Sequence, residues 1–382
     1  MRQANKYFSG EAFVKWFKIY NKIKLRRDNN MLKKRLLALG MCVILGASLL
    51  SGCSSGKSGD KSVSAGKGKD IVMVWLPNES GDGYKASRDA IGALVEKATG
   101  KKVVHKLTTD YAIAVETMAN NKAAIGYLGA QSFVEANKKN PKVLPFVVNS
   151  GASGTLKDAV YYSWLAVNKG DEDQYKKDGK YVIDNIQGKR FSFVSNSSTS
   201  GFKVPSAGIV SYFGKMDKWK NLKVADLLEG GPDKFFSEVL FGGSHQGAAM
   251  NLLNKKVDVA AFCDEIMNNY TSLVSGKLNM NGAVYKIKDG AAEPFNSMVG
   301  KEFVIIKSVP VLNSPMVMNT SMLTKDEQEK LIAAFTDPAV ANNPAIFVPK
   351  GSKATGSFKK TKNECFVKVE NSWFDPIREL SK

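Results

Sequence analysis

From residue 70 onward the apolar positions follow two alternating periods. Ile71 to Leu76 is a short apolar run ended by Pro77-Asn78, and it reads as a first strand. Tyr84 to Thr99 places Ile91, Leu94, Val95 and Ala98 at helical spacing, and Gly100 follows as a residue suited to close the last turn. A strand over Lys102 to Leu107 comes next, then a helix whose Ala112, Val115, Met118 and Ala119 share one face, with Asp110 placed as its N-cap. Strand and helix alternating at this spacing predict an α/β lobe with a mainly parallel sheet.

The same succession returns downstream. Phe191 to Ser195 reads as a strand leading into a Ser/Thr-rich turn and a helix, and Ala249, Leu252 and Leu253 form a helical stripe ahead of a strand over Val257 to Phe262. The stretches 118–127 and 252–262 are weakly alike, each a helix end, a polar turn and a buried strand. A chain of 382 residues is long enough for two such lobes. The expected ligand site is the cleft between them, where strand C-termini and helix N-termini meet.

The N-terminal pattern is of another kind. Lys33, Lys34 and Arg35 precede a mostly apolar run from Leu36 to Leu50, too short for a membrane span of about 20 residues but suited to a signal h-region of about 7–15. Leu50-Ser51-Gly52-Cys53 then resembles a bacterial lipobox, so residues 1–52 are expected to be removed and Cys53 lipidated. Met31 offers a second start, which makes residues 1–30 either upstream of the true start or a long n-region. Residues 53–69 are Ser, Gly and Lys-rich, a flexible tether with an end-to-end distance of about 20–24 Å. The expected location is extracytoplasmic, anchored to a bacterial cell membrane.

Charge alters this picture little. The chain carries 55 Lys and Arg against 36 Asp and Glu, a net charge of +19, of which +9 falls in residues 1–52. The rest is spread without a dense basic run, which fits a cationic surface that favours anions better than a nucleic-acid groove. Two of the four Cys belong to the N-terminal segment. Cys263 and Cys365, with two His in all, make neither a disulfide scaffold nor a zinc site, and no cofactor or metal is expected. Whether those two thiols pair stays open.

Candidate chemistry lies in the turns. Asn196-Ser197-Ser198-Thr199-Ser200-Gly201 puts hydroxyls and free backbone N–H groups at a helix start, a site for a tetrahedral oxyanion or a plain Ser-rich cap. It is not a P-loop, because no GK[ST] follows. Gly242-Gly243-Ser244-His245 opens a second helix, and Tyr111 and Tyr127 offer phenols at a helix start and a strand end in the first half of the chain.

Taken in order, Asp110-Tyr111-Ala112, Gly126-Tyr127-Leu128-Gly129, Ser198-Thr199-Ser200-Gly201-Phe202-x-Val204-Pro205, His245, and Asp258-Val259-Ala260 with Glu265 resemble the phosphonate-binding proteins of ABC importers, the PhnD family. The resemblance covers roughly residues 70–345 and is most specific in the Ser198 to Pro205 stretch. It implies a type II periplasmic-binding-protein-like fold, two α/β lobes joined by two hinge crossings, at Tyr161 to Lys169 and at Phe303 to Met318. Lobe 1 would comprise 70–163 plus 312–382, and lobe 2 residues 164–311. It further implies that Ser198, Thr199 and Ser200 grip phosphoryl oxygens with help from His245, that Tyr111 and Tyr127 complete the cage, and that Glu265 lines it. Relatives that bind aminoalkylphosphonates carry an Asp before the Pro of the return segment, where this chain has Ser314. A small phosphorus oxyanion (phosphonate, phosphite or phosphate) is therefore expected over an aminophosphonate.

The implied function is capture of that anion by a monomeric solute-binding lipoprotein, which delivers it to an ABC permease and its ATPase. The same fold binding a sulfonate or another small ligand, and a surface sensor or adhesin, are the alternatives. An enzyme using Ser198 or Ser200 with His245 is disfavoured, because no GxSxG, no HExxH and no cluster of His with carboxylates is present.

Overall fold

A computed structural model of the chain describes residues 70–352 and 354–380. The signal segment, Cys53 and the tether up to Lys69 lie outside the described residues. Among the described residues no helix is long and apolar enough to cross a membrane.

The first lobe is built on a six-stranded sheet. Strand β1 (Ile71–Trp75) lies between β2 (Val103–Leu107) and β3 (Ile125–Tyr127), parallel to both, with Trp75 beside Leu107 and Tyr127. Its unbroken apolar sequence is what a strand covered on both faces requires. Helix α1 (Lys85–Thr99) packs Ile91 and Val95 into the core and ends at Gly100, whose φ of +67° is the left-handed cap expected. Helix α2 (Tyr111–Ala119) starts at Asp110, whose carboxylate accepts from the Ala112 N–H at 2.6 Å. Helix α3 (Ala130–Lys139) leads to β4 (Val143–Asn149).

The second lobe holds a seven-stranded sheet. In chain order its strands are β5 (Val160–Asn168), β6 (Arg190–Phe193), β7 (Glu238–Phe241), β8 (Val259–Cys263), β9 (Thr271–Ser275), β10 (Val284–Ile287) and β11 (Glu302–Leu312). Helices α4 (Val204–Phe213) and α5 (His245–Leu253) cover its two faces. One apolar cluster gathers Trp164, Phe262, Tyr285 and Phe303, and the other Phe191, Phe193, Phe213 and Phe236. Asp258, from the motif ahead of β8, accepts from the Arg190 backbone N–H at 2.9 Å and from its guanidinium at 2.6 Å, a tie between neighbouring strands.

Both sheets are mixed, which corrects the expectation of mainly parallel ones. Strand β12 (Pro315–Asn319) runs antiparallel between β3 and β4, and β13 (Phe366–Lys368) adds antiparallel to β4. In the second sheet β5 pairs antiparallel with β8 and with β11, while β6, β7 and β8 are mutually parallel. The cause is the path of the chain, since a strand arriving from the other lobe needs no helical crossover and enters against its neighbours.

The crossings lie elsewhere than expected, and the return is shorter. Tyr161 to Lys169 is not the outgoing link. Residues 160–168 are strand β5, paired with β11 from Asn168 opposite Phe303 to Val160 opposite Leu312. The chain leaves the first lobe between Asn149 and Val160 and returns through Asn313 and Ser314 alone. Asn313 laces the two together, its N–H donating to Ala159 O at 3.1 Å and its Nδ2 to Asn149 O at 2.7 Å.

Candidate ligand-binding site

Turns from both lobes enclose a small cavity. Strand β1 ends in the three-residue turn Pro77–Glu79, which brings Asn78 and Glu79 to the wall, and β3 ends at Tyr127 beside Gly129, the N-cap of α3. Tyr111 is the first residue of α2. From the other lobe come Ser198 and Thr199, His245 as first residue of α5, Cys263 as the last residue of β8, and Glu265 and Ile266 just beyond it. Tyr161, Leu76 and Ser314 complete the wall.

The local sequence explains these positions. Ser198 caps the turn Thr199–Lys203, its hydroxyl accepting from Gly201 N at 3.1 Å. A Cβ on Gly201 would sit 2.2 Å from Val194 Cγ2, so only glycine lets the turn fold back on the strand. Ser244 caps α5 in the same way, accepting from Gly247 N at 3.0 Å. The starts of α2, α3 and α5 and of the turn leading into α4 therefore converge on one point, each presenting a positive dipole end.

Six of the eight expected site residues line the cavity directly: Tyr111, Tyr127, Ser198, Thr199, His245 and Glu265. The seventh, Ser314, does so from the return crossing. Ser200 does not line it, which corrects that expectation. It is fully buried one layer behind, its Oγ 3.5 Å from His245 Nε2 and hydrogen-bonded to the Tyr161 side chain, because the third side chain of the turn faces inward. Cys263 and Cys365 are both free thiols, and Cys263 is part of the wall.

Sequence reasoning missed Asn78, Glu79 and Tyr161. A three-residue turn has no periodicity, and the signal for Asn78 and Glu79 was only their place after the first strand, where ligands collect in α/β sheets. Tyr161 was visible but assigned to a crossing.

The lobes are shut on the cavity by direct hydrogen bonds. Thr199 Oγ1 accepts from Gln131 N at 2.9 Å, and Ser132 Oγ donates to Ser197 O at 2.8 Å. Asn78 Oδ1 accepts from His245 N at 3.1 Å, while Gln246 Nε2 donates to Asn78 O at 2.9 Å. Tyr84, ahead of α1, sits in the Trp164 cluster of the other lobe and accepts from Asn269 Nδ2 at 3.0 Å. Gly129 lets the lobes approach closely here, for a Cβ on it would lie 3.1 Å from Thr199 Oγ1.

The enclosed space is about 20 Å³, on a scale where one water takes roughly 10–15 Å³. No Lys or Arg lines it. Burial holds His245 neutral, its pKa lowered to about 3, and leaves its Nδ1 without a partner. Burial pushes Tyr111 and Tyr127 up as well, Tyr111 helped by Glu79 and Tyr127 by Glu265. Burial raises Glu265 too, with Asp264 and Glu79 adding to the shift. The chamber thus offers neutral donors and helix dipoles, a setting for a small anion whose charge is met by hydrogen bonds.

Two mixed α/β lobes, two short crossings and a polar chamber between them define a type II bilobal solute-binding protein. Residues 73–374 match the family of ABC-transporter phosphonate periplasmic substrate-binding proteins, and the chain belongs to that family. It is 26% identical over 250 residues to the phosphate-import protein PhnD of Mycolicibacterium smegmatis, across 64% of this chain and 69% of that protein. Its fold is shared with a binding-protein component of a Pseudomonas aeruginosa ABC phosphonate transporter, at a TM-score of 0.57 and 21% identity over 82% of this chain and 86% of that one. It is shared equally with PhnD1 of Prochlorococcus marinus in complex with methylphosphonate, at a TM-score of 0.57 and 14% identity over 82% and 97%. The chain is accordingly an extracytoplasmic solute-binding component of an ABC importer that works with a permease and an ATPase, and not an enzyme.

Proposed function

We propose that this protein captures a compact phosphorus oxyanion, namely phosphite, methylphosphonate or phosphate, in the chamber between its lobes. The observation that carries this reading is the chamber itself: about 20 Å³, hydroxyl-lined, at the meeting of helix starts, with no cationic side chain. In this reading Ser198, Thr199 and His245 grip the phosphoryl oxygens from the second lobe, Tyr111 and Tyr127 hold them from the first, and Ser200 fixes the His245 ring from behind. The phosphate named for the mycobacterial relative and the methylphosphonate bound by PhnD1 support a compact phosphorus oxyanion.

The lobes of the proposed clamshell are residues 70–159 plus 313–382 and residues 160–312, which moves the boundaries expected from sequence (70–163 plus 312–382, and 164–311) so that β5 and β11 each stay whole in the second. The protein works as a monomer tethered through a lipidated Cys53 and residues 53–69. Cys53→Ser should release it from the membrane fraction, and unchanged retention would remove the anchor.

Ser314 sets selectivity in this proposal. A neutral hydroxyl recovers less of an ammonium group's lost hydration than a carboxylate does. Titration calorimetry should show methylphosphonate binding more tightly than 2-aminoethylphosphonate, and Ser314→Asp should narrow or reverse the order because the added carboxylate repels a bare oxyanion. Native mass spectrometry of freshly purified protein would reveal a retained oxyanion by mass. Failure of phosphite, methylphosphonate and phosphate alike to bind, or tight binding of methanesulfonate in their place, would overturn the ligand assignment.

A further inference from the structure

The chamber wall of an anion receptor carries two carboxyl groups, Glu79 and Glu265, and one oxygen of Glu79 stands without a partner. Glu79 is 4% exposed, it lines the chamber, and its Oε2 has no hydrogen-bond partner. The nearest cation does not serve it. Arg88 Nη1 donates to the backbone carbonyl of Glu79 and to that of Gly81 at 2.7 Å, so the guanidinium is held on the turn's backbone.

The groups around Glu79 are Tyr84 and Arg88 at α1, Tyr111 on α2, Tyr127 on β3, His245 on α5, Cys263 at the end of β8, Glu265 just beyond it, and Tyr270. Apart from Arg88, none of these supplies a positive charge, since burial keeps His245 neutral. Among the described residues no group of three His, Cys, Asp or Glu could hold a metal ion there. An ionised carboxylate and a fully deprotonated oxyanion cannot share so small a space without a counter-ion.

We propose that Glu79 is a ligand contact, and that the closed site holds its oxyanion together with one proton shared between the Glu79 carboxyl and a phosphoryl oxygen. The inference rests on the phosphorus-oxyanion reading above. In the open cleft Glu79 is a solvated carboxylate. On closure one proton is held between the two, taken from solvent when the oxyanion enters fully deprotonated or carried in by it when it enters as the monoanion: either the carboxyl O–H donates to the phosphoryl oxygen, or a P–OH donates back to the carboxylate. Charge and hydrogen count are the same in both descriptions. Burial raises the Glu79 pKa to about 8, against the pull of its own backbone N–H and of Arg88, in keeping with a protonated group at neutral pH. Phosphorus oxyanions, whose last proton leaves near neutrality, suit this shared bond; sulfonates, with weakly basic oxygens, do not.

The test is calorimetry with methylphosphonate at pH 7 in two buffers of different ionisation enthalpy, on wild type and Glu79→Gln. Glutamine keeps the shape and an N–H donor but cannot carry the proton. Wild type should take up about one proton per ligand more than the variant. The ratio of wild-type to Glu79→Gln affinity should fall about tenfold per pH unit between pH 6 and 7.5. The ligand's own ionisation, His245 and Glu265 are common to both proteins and cancel in that ratio. Equal proton uptake with a pH-independent ratio would overturn the proposal, and wild-type binding at pH 9, where the oxyanion enters fully deprotonated, with no net uptake in any buffer would do so even if the variant failed to fold. Absence of methylphosphonate, phosphite and phosphate binding to wild type would instead remove the ligand reading, and this inference with it.

Discussion

The two walls of the chamber meet the same ligand space with different materials. The first lobe presents Tyr111, Tyr127, Asn78 and Glu79, all set on core elements or the turn after β1, whereas the second adds to Tyr161, His245 and Glu265 the short hydroxyls of a capped turn, Ser198 and Thr199. Tyr127 is fixed by its core neighbours, with ring centroids 6.2 Å from Trp75 and 5.5 Å from Phe358. Ser198 is fixed by its own backbone through Gly201 N. A wall built on the core holds its shape whether or not the lobes meet. A wall built on a turn keeps its aim only while the turn keeps its geometry.

The sharpest break of this comparison is Gly201→Ala. Its Cβ would meet Val194 Cγ2 at 2.2 Å, so the turn must open. We expect a stability loss of about 1–3 kcal/mol by thermal unfolding, and ligand affinity lowered by more than about a hundredfold for the loss of two or more oxyanion hydrogen bonds. Binding within a few-fold of wild type would mean that the turn does not grip the ligand.

Thr199→Ala removes one hydroxyl and the acceptor of Gln131 N while leaving the turn in place. Affinity should fall by about ten- to a hundredfold, the worth of a charge-assisted hydrogen bond. Thr199→Ser should retain most of it. Equal losses in the two variants would show that the methyl group, and so packing, is what matters.

His245 separates the walls by pH. Its pKa is lowered to about 3 in the closed state, against about 6.5 for a free imidazole, so the closed state requires the neutral ring. Its contribution is complete above pH 6.5 and is lost as pH falls toward 3. Relative to His245→Gln, wild-type affinity should drop about tenfold per pH unit below 6.5. A flat ratio between pH 6.5 and 5 would show that the ring is not buried in the complex.

The smallest effect belongs to the ring wall. Tyr111→Phe deletes a hydroxyl that accepts from Asn78 Nδ2 at 2.7 Å but leaves the ring in the wall. Calorimetry should find a loss of about two- to tenfold, the worth of a neutral hydrogen bond. A loss larger than that of Thr199→Ala would reverse the comparison and make the phenols the principal grip.

What could be read from the chain follows the range of each signal. The caps at Asp110, Gly100 and Ser198 are local, and they stand where the sequence places them. The order of motifs from Tyr111 to Glu265 carried most of the site because each sits at an element boundary. Strand β5 was taken for a crossing because its apolar run looks the same in either role, and only its pairing with β11, more than a hundred residues away, makes it a strand. The inward turn of Ser200 depends on the π-type geometry of Thr199–Lys203, which no hydroxyl count reveals. Glu79 escaped notice because a carboxylate in an exposed-looking turn is ordinarily a solvated one.

Ser314 has a mechanical meaning beyond its hydroxyl. It is half of the two-residue return between β11 and β12, and it is also part of the chamber wall. A rotation of one lobe on the other must pass through its backbone dihedrals, so its side chain cannot keep its aim while the lobes part. The pivot and the latch are one piece. A partner that pulls on the outer rims of the two lobes therefore reaches the cargo through a lever, and unloading requires no contact between that partner and the ligand.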